Sequence, residues 1–310
     1  MMWIIWILLG VACAVTLYAY HVAFYSPPGR RDEPYVIPGS DEPSPKMAAL
    51  MEETKALPFE EVSITSFDGL TLRAKYYHRC NGAPVHIQCH GYRGSALRDF
   101  CGGSKLAREA DHNALVIDHR GHGKSGGKTI TFGILERQDV LSWARYAEQR
   151  FGADTPLFLS GISMGASTVL MAAELPLPES VVGIVADCPY SSPEAIIRRV
   201  CAQRGFPPAL TMPFVHLAAR VLGGFRLRAC SALEAVTQAK IPILLIHGEA
   251  DNFVPCDMSR AIREACASEC TLLTFPGAEH GTSFLADAGR YRTALQTFMA
   301  RCLETKKESC

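Results

Sequence analysis

The sequence predicts a mainly parallel α/β sheet with helices on both faces, preceded by one membrane-spanning helix. Three observations lead there. No Asp, Glu, Lys or Arg occurs between Met1 and Gly29. Beyond residue 58, short apolar runs of strand length alternate with amphipathic stretches of helical length, the pattern of a sheet covered on both sides. Asp68-Gly69, set between two alternating runs, marks a two-residue hairpin that adds an antiparallel edge. Composition fits one large globular domain: 310 residues, 48% hydrophobic and 20% charged. Lys plus Arg and Asp plus Glu both number 31, so the net charge is zero. That balance excludes nucleic acid as an electrostatic partner, and the ordinary apolar content excludes a disordered chain. It also leaves membrane contact to hydrophobicity alone.

The first element is the run WIIWILLGVACAVTLYAY, residues 3–20, which continues apolar to Tyr25. About 20 apolar residues suffice to cross the hydrocarbon core as a helix. Trp3 and Trp6 at one end, with Tyr18, Tyr20, Phe24 and Tyr25 at the other, are placed as interfacial belts. A cleaved signal peptide needs a positive start and a shorter apolar region, and neither is present. Residues 1–25 therefore read as an uncleaved, single-pass anchor. Arg30 and Arg31 follow the span while no basic residue precedes it, so the positive-inside rule places the main domain in the cytoplasm. The 12 cysteines show no C-x-x-C pair and no regular spacing, which suits scattered thiols in a reducing compartment. They suggest neither a disulfide framework nor a zinc site.

Residues 26–46 are rich in proline and read as a stiff linker that lifts the domain off the membrane. The domain itself is expected over 47–310. Its strands are expected at 60–67 and 70–78, the two arms of the hairpin, and at 85–89, 114–118, 157–161, 181–187, 241–247 and 271–275, these six apolar nearly throughout as doubly buried strands are. Helices are expected near 96–111, 136–151, 164–174, 256–268 and 284–304. The interval 190–240 is too long for one crossover and carries Pro193, Pro207, Pro208 and Pro213 among apolar residues such as Phe206, Leu210, Met212, Phe214, Val215 and Leu217. It is expected to form a small helical cap over the carboxyl end of the sheet.

Gly161-Ile162-Ser163-Met164-Gly165 is a G-x-S-x-G that directly follows the fifth strand and directly precedes a helix of small residues. At such a sharp turn the serine is exposed at the sheet edge, and the helix start favours a developing negative charge. A serine hydroxyl needs a base, and the base needs a carboxylate to orient it. Both follow at later strand ends: Asp251 after the seventh strand and His280 after the eighth. Glu249, Asp257 and Asp187 are rival acids. His119 and His122 are expected to shape the site from the loop after the fourth strand, and His247 to pack at a strand end. The oxyanion hole is expected from the backbone N–H of Met164 and from the loop after the third strand, where Gly91 lets the Tyr92 N–H turn inward. Whether the Tyr92 hydroxyl also contributes stays open.

Taken in order, His90-Gly91-Tyr92, residues 118–125 (DHRGHGKS), Gly161–Gly165, residues 247–251 (HGEAD) and Glu279-His280-Gly281 resemble the α/β-hydrolase superfamily over 59–304. Within it the chain most resembles the serine aminopeptidase-like and acylglycerol-lipase-like branch, and its anchor resembles those of membrane-tethered bacterial hydrolases. The resemblance implies an eight-stranded, mostly parallel sheet with a small cap. It further implies Ser163 as nucleophile, Asp251 and His280 as its partners, and Tyr92 with Met164 at the oxyanion hole. The loop after the third strand lacks the glycine run of HGGG-type esterases, which makes that class a poorer match.

The expected activity is hydrolysis of a carboxylic ester or thioester with a small-molecule or lipid-like acyl group, without metal or organic cofactor and without an obligate protein partner. The alternative is a serine aminopeptidase-like peptidase, for which Glu194 and Asp187 are the available acids to hold a substrate amine. A catalytically silent binding scaffold is the remaining alternative, and it has no use for an activated serine.

Overall fold

The computed structural model describes residues 2–27 and 45–309. Most of the expected linker, with Arg30 and Arg31, lies outside the described residues. The eight strands are β1 (Glu60–Thr65), β2 (Thr71–Tyr77), β3 (Val85–Cys89), β4 (Asn113–Asp118), β5 (Leu157–Ile162), β6 (Val181–Asp187), β7 (Ile243–Gly248) and β8 (Cys270–Phe275). They form one sheet in the order β1-β2-β4-β3-β5-β6-β7-β8. β2 pairs antiparallel with both β1 and β4, and every other pairing is parallel.

The order matters for function. From β3 the chain crosses back to place β4 beside β2, and from β4 it returns past β3 to lay down β5. The carboxyl ends of β3 and β5 therefore flank the point where the strand order reverses, and open α/β sheets bind ligands in the crevice at such points. Ser163 follows β5 and Tyr92 follows β3.

The hairpin differs from its expectation. Thr65 pairs with Thr71, and the Ser66 N–H donates to the Leu70 carbonyl at 2.8 Å, so the loop holds three residues, Phe67 to Gly69. The Ser66 hydroxyl joins the turn by donating to Asp68 and accepting the Leu70 N–H, while Gly69 takes φ 88°. A left-handed glycine after a type I turn is the three-residue solution for a hairpin.

Eleven helices accompany the sheet: α1 (Met2–Ala23), α2 (Pro45–Lys55), α3 (Ala96–Glu109), α4 (Glu136–Phe151), α5 (Met164–Ala172), α6 (Pro193–Gln203), α7 (Pro208–Val221), α8 (Ala232–Ala235), α9 (Cys256–Ala265), α10 (Ser283–Ala286) and α11 (Ala288–Ser309) among the described residues. The strands alternate their side chains between two cores. Leu157 and Leu159 face Val140 and Trp143 of α4, Val169 of α5 and Ile262 of α9. Phe158 faces the other way, with Leu106 of α3 and Leu295 and Phe298 of α11. With both faces covered, all six residues of β7 are buried, which explains its apolar run from Ile243 to Ile246.

α1 is long and apolar enough to cross a bilayer, with a mean hydropathy of 2.2 over its best window. It is not a free rod. Ala12, Thr16, Ala19, Tyr20 and Ala23, spaced along one side, are partly or fully covered, and α1 packs along α7. Phe24, just beyond the helix, is fully buried and meets Phe132 and Phe225 edge-on at 5.9 and 5.3 Å. The backbone then joins the domain: Ile130 N–H donates to the Phe24 carbonyl, Ser26 N–H to the Lys128 carbonyl, and the Ser26 hydroxyl to the Gly121 carbonyl. The aromatic cluster expected as an outer belt is thus partly domain core, because Phe24 finds an aromatic socket and the Tyr20 hydroxyl pairs with Thr129. The helix is seated on the domain directly, rather than held away from it.

Candidate active site

The turn after β5 is tight because glycine permits it. A Cβ on Gly161 would run into the backbone of Gly165 and Ala166, and one on Gly165 into the carbonyl of Cys89 at the end of β3. Between them Ser163 is forced to φ 54° and ψ −114°, a strained conformation for a residue with a side chain. Its N–H donates to the Asp187 carbonyl, and its own carbonyl accepts from Ser167 in the first turn of α5. The side chain is left half-exposed at the crevice.

Three side chains from three loops form one hydrogen-bonded chain. His280 Nε2 lies 2.9 Å from Ser163 Oγ, and His280 Nδ1 lies 2.6 Å from Asp251 Oδ2. The other Asp251 oxygen accepts the N–H groups of Phe253 and Val254 at 3.0 and 2.8 Å. Burial works against the charge on Asp251, but hydrogen bonds from His247 and His280 and from the Val254 amide hold its carboxyl well below the usual range. A carboxylate at Nδ1 fixes the tautomer that leaves Nε2 free to accept the serine proton. The Phe253 ring stands edge-on to the imidazole at 5.1 Å and limits its rotation.

The rival acids stand elsewhere. Glu249 accepts from the Thr274 hydroxyl, and Asp257 pairs with Arg260. Asp187 is buried beneath the site, where the Tyr291 hydroxyl donates to one oxygen, and burial pushes its carboxyl up to about 6. It lines a cavity of about 70 Å³ behind the serine turn, between the sheet and α3. His247 is fully buried, accepting from the Ser259 hydroxyl and donating to the Val254 carbonyl, as a strand-end packing residue does.

Met164 is the first residue of α5, so its N–H is among those without a partner inside the helix. The loop carrying Tyr92 runs close by: a Cβ on Gly91 would sit 3.4 Å from Ser163 Cβ. That loop is pinned on every side. Gly91 N–H donates to Asp99 at 2.7 Å, the Gly91 carbonyl accepts from His90 Nδ1, and Arg93 N–H donates to His122 Nε2 at 3.0 Å. His119 N–H donates in turn to His90 Nε2, so both histidines of the loop after β4 support this one. The Tyr92 hydroxyl points away from the serine and donates to the Ala23 carbonyl at 2.9 Å, at the end of α1. Arg93 reaches the same helix end, with Nη2 donating to the Val22 and Tyr25 carbonyls at 2.9 and 3.1 Å. The Tyr92 hydroxyl is thus committed to the end of α1.

Sequence reasoning did not single out Asp99, Arg93, Phe253 or Cys188. Cys188 was open to discovery, since it follows β6 at the same edge of the sheet; its Sγ lies 3.9 Å from His280 Nε2. With Asp251 and His280 it offers three ligand atoms within 4.8 Å of one another. Burial pushes the Cys188 thiol far up, so it stays protonated and is a poor metal ligand, and both imidazole nitrogens are already engaged. The cluster suits proton transfer.

Family models agree with this architecture. Residues 87–211 match the model described as the alpha/beta hydrolase fold, and residues 211–281 match that of the serine hydrolase FSH1. This chain has the α/β-hydrolase fold. The hydrolase is similar to the uncharacterised protein YqkD of Bacillus subtilis, 28% identical over 69% of this chain and 70% of that one. It is 24% identical to the human protein ABHD12B over 59% of this chain and 50% of that one. Among solved structures, an esterase from Pyrococcus furiosus superposes with a TM-score of 0.64 at 21% identity, covering 86% of this chain and 96% of the esterase. Est1E from Butyrivibrio proteoclasticus, solved with ferulic acid, gives 0.60 at 23% identity over 78% and 99%. By the same comparisons it is a hydrolase of this fold, similar over residues 211–281 to the serine hydrolase FSH1.

Proposed function

We propose that this enzyme is a membrane-anchored serine hydrolase that cleaves a carboxylic ester or thioester through Ser163, His280 and Asp251. Ser163 Oγ attacks the carbonyl carbon as His280 Nε2 takes its proton, and Asp251 steadies the imidazolium that forms. The N–H groups of Met164 and Tyr92 receive the oxyanion. Collapse expels the alcohol or thiol with the proton from His280. Water, activated by the same imidazole, then releases the acyl group. The observation that carries this reading is the unbroken chain of short hydrogen bonds from Ser163 to Asp251.

An apolar acyl group is favoured by what surrounds the serine. Met164 belongs to a buried cluster with Phe132, Tyr190, Met212, Val215 and Phe225, roofed by α6 and α7, which act as the cap. Peptide chemistry has less support. Glu194, held down to about 2 by Arg228 and Arg198, is already neutralised, and Asp187 is buried beneath the sheet edge. Neither is placed to hold a substrate amine. The apolar α1 is the anchor, and the domain is assigned to the cytoplasmic side by Arg30 and Arg31.

Labelling the full-length protein with a fluorophosphonate, followed by assays on p-nitrophenyl esters of graded chain length and on aminoacyl anilides, tests the proposal. Labelling is expected in the wild type and lost in Ser163→Ala, with ester turnover exceeding anilide turnover. Absence of labelling in the wild type would overturn the mechanism, and turnover of anilides alone would replace the ester with a peptide. A membrane-impermeant thiol probe that modifies Cys80, an exposed cysteine of the domain, on intact cells would reverse the orientation.

A further inference from the structure

Helix α7 has two apolar faces where a solvent-facing helix has one. The inner face is accounted for: Met212, Val215, Ala218 and Ala219 are buried and pack in one cluster with Phe24, Ala19 and Ala23. The outer face is open. Leu210, Leu217 and Val221, spaced by seven and four residues and so stacked on one side, are 68%, 48% and 67% exposed. Phe206 and Leu222 extend the stripe beyond the two ends of the helix, and Phe214 sits within it half-buried.

The stripe has a neighbour of the same character. α7 packs along the carboxyl half of α1, whose uncharged residues Val15, Leu17, Tyr18 and Val22 are themselves exposed. Whatever solvent surrounds that half of α1 therefore also bathes the outer face of α7. Charge gives a second, independent indication. The chain as a whole is neutral, yet residues 190–240 hold seven basic residues against two acidic ones. Glu194 is shared by Arg198 and Arg228, while Arg204, Arg220 and Arg226 stand exposed around the stripe. An apolar face rimmed by arginine is the composition of a helix lying in the interface of an anionic bilayer. Membrane contact thus does not rest on hydrophobicity alone, because the neutral total conceals a basic cap.

We infer that the cap is a membrane-seated surface: Leu210, Leu217 and Val221 enter the boundary between headgroups and acyl chains of the bilayer that α1 crosses, with Arg204, Arg220 and Arg226 on anionic headgroups. This rests on the reading of α1 as an anchor. A protein partner on the same stripe would have to occupy the layer that the lipid already fills. The seated cap puts the roof of the apolar cluster beside Ser163 in contact with lipid, so an acyl substrate resident in the bilayer reaches the serine without crossing water.

The test uses the full-length protein carrying the photocrosslinking residue p-benzoylphenylalanine at Leu210, Leu217 or Val221. The comparison position is Phe59, equally apolar and 43% exposed but next to β1 at the opposite end of the sheet. Each variant is reconstituted in phosphatidylcholine vesicles, with or without phosphatidylglycerol, and illuminated, and lipid adducts are counted by mass spectrometry. Adducts are expected at the three α7 positions and not at Phe59, rising severalfold with the anionic lipid. The triple variant R204Q/R220Q/R226Q is expected to lose that rise. Yields at α7 no higher than at Phe59, or adducts there to protein alone, would overturn the seated cap. Carbonate extraction and fluorophosphonate labelling of the same vesicles separate the other readings. Release by carbonate would overturn the anchor and the seated cap with it, whereas loss of labelling with adducts intact would strike the hydrolase mechanism and leave the surface standing.

Discussion

Ser163, Asp251 and His280 hang from the carboxyl ends of β5, β7 and β8, where parallel pairing fixes the backbone beneath them. Tyr92 and Arg93 follow β3 in the same sheet, yet their side chains are fastened to the carbonyls of Val22, Ala23 and Tyr25. The acid–base half of the proposed site is therefore held by the scaffold that surrounds it. The oxyanion half is held in addition by a helix that lies mostly outside the domain. The proposed anchor is thus also a buttress, so losing it removes more than an address.

The difference can be broken from either side. Asp251→Asn attacks the sheet-held half and is expected to lower kcat about 10⁴-fold with the fold intact, since the wrong tautomer of His280 is then favoured. Ester kinetics with a thermal melt on the same sample read both quantities. Phe24→Ala attacks the helix-held half without touching a reacting atom. Emptying that aromatic socket is expected to cost about 3–5 kcal/mol, seen as a melting point lower by roughly ten degrees. Leu9→Ala, at an exposed position in the amino half of α1, is expected to move stability by no more than about 0.5 kcal/mol. Equal effects from these two substitutions would abolish the distinction between buttress and anchor.

Asp187→Asn asks whether a second carboxylate at the sheet edge takes part. Burial raises its folded-state pKa to about 6, above the ordinary value near 3.9, so the folded chain binds the proton more tightly. The resulting penalty is absent below pH about 4, grows as pH rises to about 6, and is fully present at pH 7. The variant should therefore match the wild type in acid and exceed it by as much as about 3 kcal/mol at neutral pH, with kcat little changed. Denaturant melts at both pH values test this, and a large fall in kcat would bring Asp187 into the mechanism. A modest effect on both quantities belongs to Tyr92→Phe. Losing its hydrogen bond to Ala23 is expected to cost about 1 kcal/mol and about fivefold in kcat on a soluble ester, with KM unmoved.

What could be read from the sequence follows from how far apart the interacting residues lie. The strand ends announce themselves locally: a G-x-S-x-G between an apolar strand and a small-residue helix, and an Asp and a His just past later strands. The strands from β3 to β8 were legible because their burial leaves them largely apolar, and β1 and β2 because they alternate on either side of a turn. The hairpin was misjudged by one residue, because backbone bonds from Ser66 to Leu70 and from Gly69 to Ser66, joined by the Ser66 hydroxyl, close a three-residue loop that Asp-Gly alone does not announce. The docking of α1 was invisible. Its uninterrupted apolar composition satisfies lipid and protein core equally, and nothing near Phe24 points to Phe132 or Phe225. Likewise, a zero net charge gave no hint that the cap is basic.

The seating of Phe24 also sets an order in time. It leaves the ribosome more than a hundred residues ahead of Phe132 and some two hundred ahead of Phe225, the two rings that enclose it. The apolar helix is thus made, and free to enter a bilayer, long before its socket exists. The domain completes that socket only after nearly three quarters of the chain is synthesised, by closing around an aromatic residue already held in place.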